Sequence, residues 1–130
     1  MIDYMLFTGP TKETNVDHKG RINLPASLKE IIRSHEQTYD QFKGAIYLFP
    51  DDSGNFFSCY TPLVYVMSAE KFLERAENDA DRLAYFSAER KSMDKQGRII
   101  VPELYKGIEK VILVPNGDHF QLRKPANQTE

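Results

Sequence analysis

Hydrophobic residues follow two different periods along the chain, and the switching between them predicts short strands and helices. Ile22 and Leu24 alternate with polar residues, which is typical of a strand with one face in the core. Leu28 and Ile31 recur at helical spacing after Pro25, a residue that suits the first turn of a helix. In chain order the pattern predicts hairpin arms at 12–17 and 21–24, a helix over about 26–33, strands at 45–49 and 55–60, a third candidate strand at 63–67, a long helix over 68–88, a hairpin over 89–101, a short helix over 102–106, and a final hairpin over 110–123.

Caps and breaks refine this order of elements. Polar residues fill 34–43, which predicts a surface loop or an extension of the first helix. Gly107 ends the short second helix, and residues 124–130 are expected to fray as a chain terminus. Ser68 is a good N-cap for the long helix, whose apolar face comprises Phe72, Leu73, Ala76, Ala80, Leu83 and Ala84.

One motif occurs twice in the chain. Residues 16–25 read V-D-H-K-G-R-I-N-L-P, and residues 93–102 read M-D-K-Q-G-R-I-I-V-P. The repeat divides the chain into a first copy at 6–60, a linking strand and helix at 61–88, and a second copy at 89–123. The shift that superposes Arg21 on Arg98 also aligns Asp17 with Asp94, Gly20 with Gly97, Ile22 with Ile99, Pro25 with Pro102, and Lys29 with Lys106.

Each motif predicts a rigid turn that presents basic side chains. Glycine supplies the positive φ that a short hairpin loop requires, and the aspartate is able to accept hydrogen bonds from turn amides and from the arginine. The ion pair either only staples the hairpin or also orients the arginine for a ligand. Duplication favours a ligand, and arginine forks suit phosphate oxygens and the guanine edge. The candidate DNA-binding residues are Lys19, Arg21, Lys95 and Arg98, and the candidate turn-orienting residues are Asp17, Gly20, Asp94 and Gly97.

The overall charge does not by itself indicate a nucleic-acid partner. The chain has 17 Lys and Arg against 19 Asp and Glu, which gives a formal net charge of −2. A DNA-binding protein usually shows a basic excess. Any DNA-binding surface must therefore be a local basic patch on an acidic protein.

The motif D-x-x-G-R-I-x-hydrophobic-P, followed by a short helix and a second hairpin, resembles the AbrB/SpoVT superfamily of swapped-hairpin domains. Its occurrence twice, on either side of a linking helix, is similar to the MraZ family of bacterial transcriptional regulators. The resemblance extends over about 6–122 and is tightest at 16–25 and 93–102. The chain differs from the family pattern because it has no tryptophan and carries an aromatic-rich segment at 55–67.

This resemblance implies an α+β, mainly β fold: a pseudo-symmetric, double-ψ-like β-barrel of swapped hairpins, with short helices and one longer linking helix. It also implies a ring-like homo-oligomer that binds short direct repeats in double-stranded DNA and represses its own division and cell-wall gene cluster. The D-x-x-x-R residues of the family fall on Asp17 and Arg21, and on Asp94 and Arg98.

No other constellation in the sequence indicates chemistry. His18, His35 and His119 are too far apart to form a familiar metal-ligand pair, and the single cysteine, Cys59, fits a small buried hydrophobic residue. We therefore expect no enzyme, no catalytic residue, no metal, no cofactor and no small-molecule substrate. One cysteine allows no internal disulfide, and no apolar run is long enough to span a membrane, so a cytoplasmic protein is expected. The resemblance implies in addition that it is nucleoid-associated.

Two alternatives stay open on the sequence alone. An antitoxin-like or other protein-interaction module with the same fold is the alternative to a DNA-binding regulator. Antitoxins of this type carry one motif and a disordered partner-binding tail, whereas this chain carries two motifs and a short tail. The second alternative concerns Phe56, Phe57, Tyr60 and Tyr65, which either form a stacking platform for single-stranded nucleic acid or pack in the core or a subunit interface.

Overall fold

The computed structural model of the chain describes residues 6–36, 44–51, 55–75, 77–80 and 88–125. Within these residues the fold is α+β and mainly β, as the sequence predicts. The elements are β1 (Lys12–Asn15), β2 (Arg21–Asn23), α1 (Ala26–Glu36), β3 (Ala45–Pro50), β4 (Phe56–Tyr60), α2 (Pro62–Arg75), β5 (Glu89–Ser92), β6 (Arg98–Ile100), a single 3₁₀ turn (Glu103–Tyr105), β7 (Lys110–Asn116) and β8 (His119–Arg123).

The strands form two antiparallel sheets. Six strands make one large sheet in the order β1-β7-β8-β4-β3-β5. The other two, β2 and β6, pair with each other and are called the ribbon below. Among the described residues these sheets are not closed into a barrel, so the predicted closure is not seen there.

The two copies exchange their first strands. β1 of the first copy pairs with β7 of the second, with Lys12 opposite Leu113. β5 of the second copy pairs with β3 of the first, with Glu89 opposite Leu48. Lys12 and Glu89 occupy equivalent positions in the repeat, so the pairing pattern is the same from either copy. The copies are therefore interleaved and do not fold side by side.

The two arms of the first predicted hairpin separate just beyond their turn. Val16 and Ile22 form a single bridge across the arms. β1 then continues into the large sheet, whereas β2 joins the ribbon, where Ile22 lies opposite Ile99. The alternating pattern correctly predicts which face of β2 is buried. It does not predict the neighbouring strand, because alternation carries no information about pairing partners.

A single hydrophobic core joins the ribbon, α1 and the inner face of the large sheet. Tyr105 is completely buried in it and donates its hydroxyl to the carbonyl oxygen of Leu122 at 3.2 Å, which satisfies the polar atom. Cys59 is also buried, as predicted. The core includes Ile22, Leu24, Ile99 and Val101 near the ribbon, Leu28, Ile31 and Ile32 of α1, and Ile46, Leu48, Phe57, Val111, Leu113, Phe120 and Leu122 of the large sheet.

The linking helix begins earlier than predicted. α2 starts at Pro62, so the segment 63–67 is helical and the predicted third strand is wrong. Ser68 lies inside the helix and does not cap it. Pro62 takes the first helical position, and the carbonyl oxygen of Thr61 accepts a hydrogen bond from the N–H of Tyr65 at 2.9 Å. A short apolar run fits a strand as well as a helix, so periodicity alone does not distinguish the two at this segment.

The same helix also ends earlier than predicted. α2 stops at Arg75, and neither Glu77 nor Asn78 is helical, so one continuous helix over 68–88 is wrong. Asn78 is a residue type that favours turns and N-caps, and helical residues resume at Asp79. The parts of the sequence predictions that fall on 37–43, 52–54, 76, 81–87 and 126–130 lie outside the described residues.

The two shorter helices agree with prediction in kind and differ in length. α1 begins at Ala26 and runs to Glu36, so the start of the polar segment 34–43 extends this helix, one of the two predicted possibilities. The predicted helix over 102–106 is one 3₁₀ turn, and Gly107 follows it with φ of +91°.

Candidate nucleic-acid interface

The first motif turn is held together by its aspartate. One carboxylate oxygen of Asp17 accepts hydrogen bonds from the backbone N–H groups of Lys19 and Arg21, both at 2.9 Å. The other oxygen accepts from Nε of the Arg21 guanidinium, also at 2.9 Å. The aspartate thus fixes the backbone of the turn and the first part of the arginine side chain at the same time.

The second motif turn repeats this arrangement. Asp94 accepts from the backbone N–H groups of Gln96 and Arg98 at 2.9 Å, and from Nε of Arg98 at 2.9 Å. The two turns share this geometry although their intervening residues differ. The structure therefore brings each predicted aspartate–arginine pair together, and the pairing has the same form in both copies.

Glycine allows both turns to close. Gly20 has φ of +79° and Gly97 has φ of +82°, which are conformations that L side chains rarely adopt. The N–H of each glycine donates to the carbonyl oxygen of the turn's aspartate, at 2.9 Å in the first turn and 3.0 Å in the second. Both glycines therefore adopt the positive φ that a short hairpin loop requires.

The ribbon locks the two turns to each other. The N–H of Leu24 donates to the carbonyl oxygen of Gly97 at 3.0 Å, and the N–H of Val101 donates to that of Gly20 at 2.9 Å. Ile22 and Ile99, opposite each other at the centre of the ribbon, both point into the core. Each turn is therefore anchored by the strand of the other copy, and the two turns form one rigid unit.

The outer face of the ribbon presents both predicted arginines. In the register of β2 and β6, Arg21 lies opposite Ile100 and Arg98 lies opposite Asn23. These four residues alternate with the buried isoleucines, so their side chains share the solvent-facing side. The arginines are diagonal neighbours, and such positions are about 7 Å apart in a regular antiparallel pair. The repeated motif does not single out Asn23 and Ile100, since the residue at their shared position differs between the two copies.

The predicted lysines flank the outer face of the ribbon. Lys19 and Lys95 are exposed in the first and second turn respectively. His18 is exposed beside Lys19, which agrees with a solvated loop histidine. Neither lysine forms an ion pair with another residue of the described ranges. Their charges are thus available to a ligand, whereas each arginine already shares its charge with an aspartate.

The surroundings of the two turns differ. A cleft of about 490 Å³ lies beside Gly20, between the first turn and the segment Lys106–Glu109. Beside Gly97 the side chain of Lys29, from α1, occupies the space, so that a Cβ added there would collide with it. The copies also differ in the element that follows each motif, since the first copy has the 11-residue helix α1 where the second has only a 3₁₀ turn. In the sequence, Lys29 stands out only because it aligns with Lys106.

Both turn aspartates are ionised at neutral pH. The hydrogen bond from the backbone N–H of Arg21 is the largest cause that lowers the pKa of Asp17 to about 2. Partial desolvation opposes this, while the guanidinium of Arg21 and the N–H of Lys19 lower the pKa further. The corresponding contacts of Arg98 and Gln96 lower the pKa of Asp94. Each carboxylate therefore remains a charged acceptor for its arginine.

The aromatic-rich segment packs within the chain. Phe57 is buried and meets Tyr105 edge to face at a centroid distance of 5.2 Å. Tyr65 stacks on Tyr47 at 4.3 Å. The Phe56 ring lies under the guanidinium of Arg123, and Tyr60 stacks on His119. Since each of these four rings contacts a side chain from another part of the chain, the packing interpretation is favoured over a free stacking platform.

The part of the chain that the structure describes contains no group of three His, Cys, Asp or Glu side chains placed to hold a metal ion. Burial raises the pKa of the Cys59 thiol, so this group is protonated at neutral pH. No described helix combines the length and apolar character needed to cross a membrane.

Comparison with known proteins does not identify the chain. No known family model matches it, and a search of curated protein sequences finds no relative.

Proposed function

We propose that this chain is a sequence-specific DNA-binding transcriptional regulator, and that the outer face of the ribbon enters the major groove of double-stranded DNA. The proposal is carried by one observation: two arginines, each held by its own aspartate, project from the same two-stranded ribbon. A two-stranded antiparallel ribbon fits the major groove, and some regulators read bases in this way.

The arginines suit base recognition because they are already oriented. Nε of Arg21 and Nε of Arg98 are engaged by aspartates, so the terminal nitrogens of each guanidinium remain for a ligand. Two parallel N–H donors match the O6 and N7 acceptors of guanine, and they also match two phosphate oxygens. Holding the side chain in place before binding lowers the entropy lost when it meets DNA.

The lysines supply the attraction that does not depend on sequence. Lys19 and Lys95, which are exposed in the two turns, are suited to phosphate groups on either side of the groove. The turns add a local positive charge to a chain whose net charge is −2, because their arginines balance their aspartates and the lysines are left over. Such a patch orients an acidic protein towards DNA with one face only.

The finer aspects of the proposal rest on the resemblance of the repeated motif. The exchanged first strands and the interleaved ribbon support a swapped-hairpin, double-ψ-like fold of AbrB/SpoVT type. In the MraZ-like role that follows, the protein forms a ring-like homo-oligomer in the cytoplasm, associated with the nucleoid. It binds short direct repeats in the promoter of its own division and cell-wall gene cluster and represses transcription. It uses no cofactor and performs no catalysis.

A gel-shift titration tests the proposal. The parent protein is titrated against the DNA immediately upstream of its own gene, at about 50 and about 200 mM salt, with a shuffled duplex of equal length and composition as the control. We expect tighter binding to the upstream DNA than to the shuffled duplex, and weaker binding to both at the higher salt concentration.

The same titration distinguishes a DNA-binding regulator from the alternative function. An antitoxin-like interaction module uses the fold mainly to bind a partner protein. The absence of any preference for the upstream DNA, at either salt concentration, contradicts the proposal. A preference that survives at the higher salt concentration supports base readout, because non-specific contacts weaken first.

A further inference from the structure

The outer face of the ribbon is chemically unequal in its two halves. Superposing Arg21 on Arg98 places Asn23 on Ile100. Both positions face solvent, and the Ile100 side chain is 52% exposed although it is large and apolar. The motif thus has the arginine in both copies, but the residue two positions after the arginine differs between them.

The strand register sets each of these residues against an arginine. Ile100 lies directly opposite Arg21, and Asn23 lies directly opposite Arg98. Side chains at directly opposite positions are about 5 Å apart at Cβ, which is close enough to contact neighbouring base pairs. One half of the ribbon therefore offers a guanidinium with an aliphatic group, and the other offers a guanidinium with an amide.

From this arrangement we infer that Ile100 and Asn23 are specificity-determining residues, with Ile100 contacting the C5-methyl group of a thymine and Asn23 binding the N6 and N7 edge of an adenine. Aliphatic groups recognise thymine by that methyl group, and asparagine is the usual bidentate partner of adenine. The inference rests on the proposed function and extends it to the bases beside those contacted by the arginines. A ribbon with unequal halves binds a sequence that is not palindromic.

Base analogues test the two contacts one atom at a time. Duplexes that the parent protein binds are first selected from a random-sequence library. Each thymine of the selected duplex is then replaced in turn by uracil, which lacks only the methyl group. We expect one replacement to weaken binding by the parent roughly fourfold, the change that corresponds to exposing one buried methyl group.

Variants assign the lost methyl contact to Ile100. Ile100→Asn binds the thymine and uracil duplexes equally, whereas Ile100→Val retains most of the difference. Replacement of one adenine by 7-deazaadenine removes N7 and weakens the parent and Ile100→Asn, while Asn23→Ala is insensitive to it. Circular dichroism of each variant checks that the thermal midpoint is that of the parent.

The outcomes distinguish this inference from the proposed function. If the parent selects no duplex, the proposed function is wrong and the inference fails with it. If the parent selects a duplex but no thymine-to-uracil change affects it, or if Ile100→Asn keeps the parent's sensitivity, the inference alone is wrong. If Ile100→Asn weakens binding to every duplex equally and also lowers the mass in light scattering, Ile100 contacts a second copy of the chain, and the inference is again wrong.

Discussion

At the scale of single residues, the turn aspartates connect stability with binding. Asp17 accepts two backbone hydrogen bonds and one from a guanidinium, and Asp94 does the same. All of these acceptor contacts favour the ionised carboxylate over the neutral acid. Protonation therefore weakens the turn and releases the arginine together.

The lowered pKa of Asp17 predicts a specific dependence of stability on pH. Its ordinary pKa of 3.8 falls to about 2 in the folded chain, so its ionised form stabilises folding above pH 3.8, and this contribution disappears as the pH falls towards 2. We expect the parent to be more stable than Asp17→Asn at pH 6, and this difference to shrink steadily between about pH 4 and pH 2. Urea unfolding of both proteins across this range measures it. A difference that does not change with pH contradicts the assignment of the shift to Asp17.

Truncating either arginine should weaken DNA binding and leave the fold nearly intact. Arg21→Ala and Arg98→Ala remove partly exposed side chains, and exposed ion pairs contribute little to stability. We expect each lost contact to weaken binding by about 1–3 kcal/mol, with Lys71→Ala on α2 as a control cation that does not affect it. Asp17→Ala differs, because it loses turn hydrogen bonds as well as the orientation of the arginine.

Salt dependence then shows what the arginines contact. If they bind phosphates, the slope of log K against log salt falls by about 0.9 for each contact removed. If the slope is unchanged but discrimination between sequences drops, they bind bases. If both arginine variants bind operator DNA as tightly as the parent, the ion pairs are only structural.

At the scale of elements, the two turns have the same backbone in different surroundings. A positive φ makes either glycine costly to replace, and we expect Gly20→Ala and Gly97→Ala to lower the free energy of unfolding by a similar amount, about 1–2 kcal/mol. The collision at Gly97 adds little, because the atoms involved lie at the flexible end of Lys29. Asparagine tolerates this conformation better, so Gly20→Asn and Gly97→Asn serve as milder controls. Denaturant unfolding measures all four variants, and a much larger loss for Gly97→Ala indicates that Lys29 is held rigidly.

The sequence predicts these elements unequally well. The repeated motif predicts both turns, their glycines and their aspartate–arginine pairs, because each of these contacts joins residues within five positions of the chain. The strand exchange is not predictable in this way. The pairing of Lys12 with Leu113 joins distant parts of the chain, and no local pattern specifies it.

The start of α2 and the ribbon residues Asn23 and Ile100 are likewise not predictable from local sequence patterns. The segment 63–67 is apolar and includes two β-branched valines, so its local preference does not reveal that Pro62 begins a helix there. Ile100 and Asn23 differ between the copies and so escape an argument based on shared residues. They become candidates only when the register places each opposite an arginine.

At the scale of the whole molecule, strand exchange makes the two copies depend on each other. β1 and β5 each lie in the sheet against a strand of the other copy, and the ribbon takes one strand from each. We therefore expect a single cooperative unfolding transition. Far-ultraviolet circular dichroism and tyrosine fluorescence should give coincident curves. Two separate transitions contradict the view that the copies form one folding unit.

Several chains are expected to associate with one another, and the reason is electrostatic. One ribbon offers few cations, and the chain as a whole is slightly acidic. A single chain is therefore expected to bind DNA weakly. Chains joined in one homo-oligomer bind adjacent DNA sites at a high effective concentration. This raises the overall affinity without a new contact in any subunit.

This association should not occur by extension of the large sheet. Its edge strands, β1 and β5, carry charged side chains, and such charges discourage edge-to-edge pairing. We expect light scattering at micromolar concentration to show a stable homo-oligomer. Affinity should rise more than in proportion as the selected DNA element is repeated two and three times on one duplex, with altered spacing between the elements as the control. A pure monomer at micromolar concentration, or an affinity that is unaffected by repeating the element, contradicts the prediction.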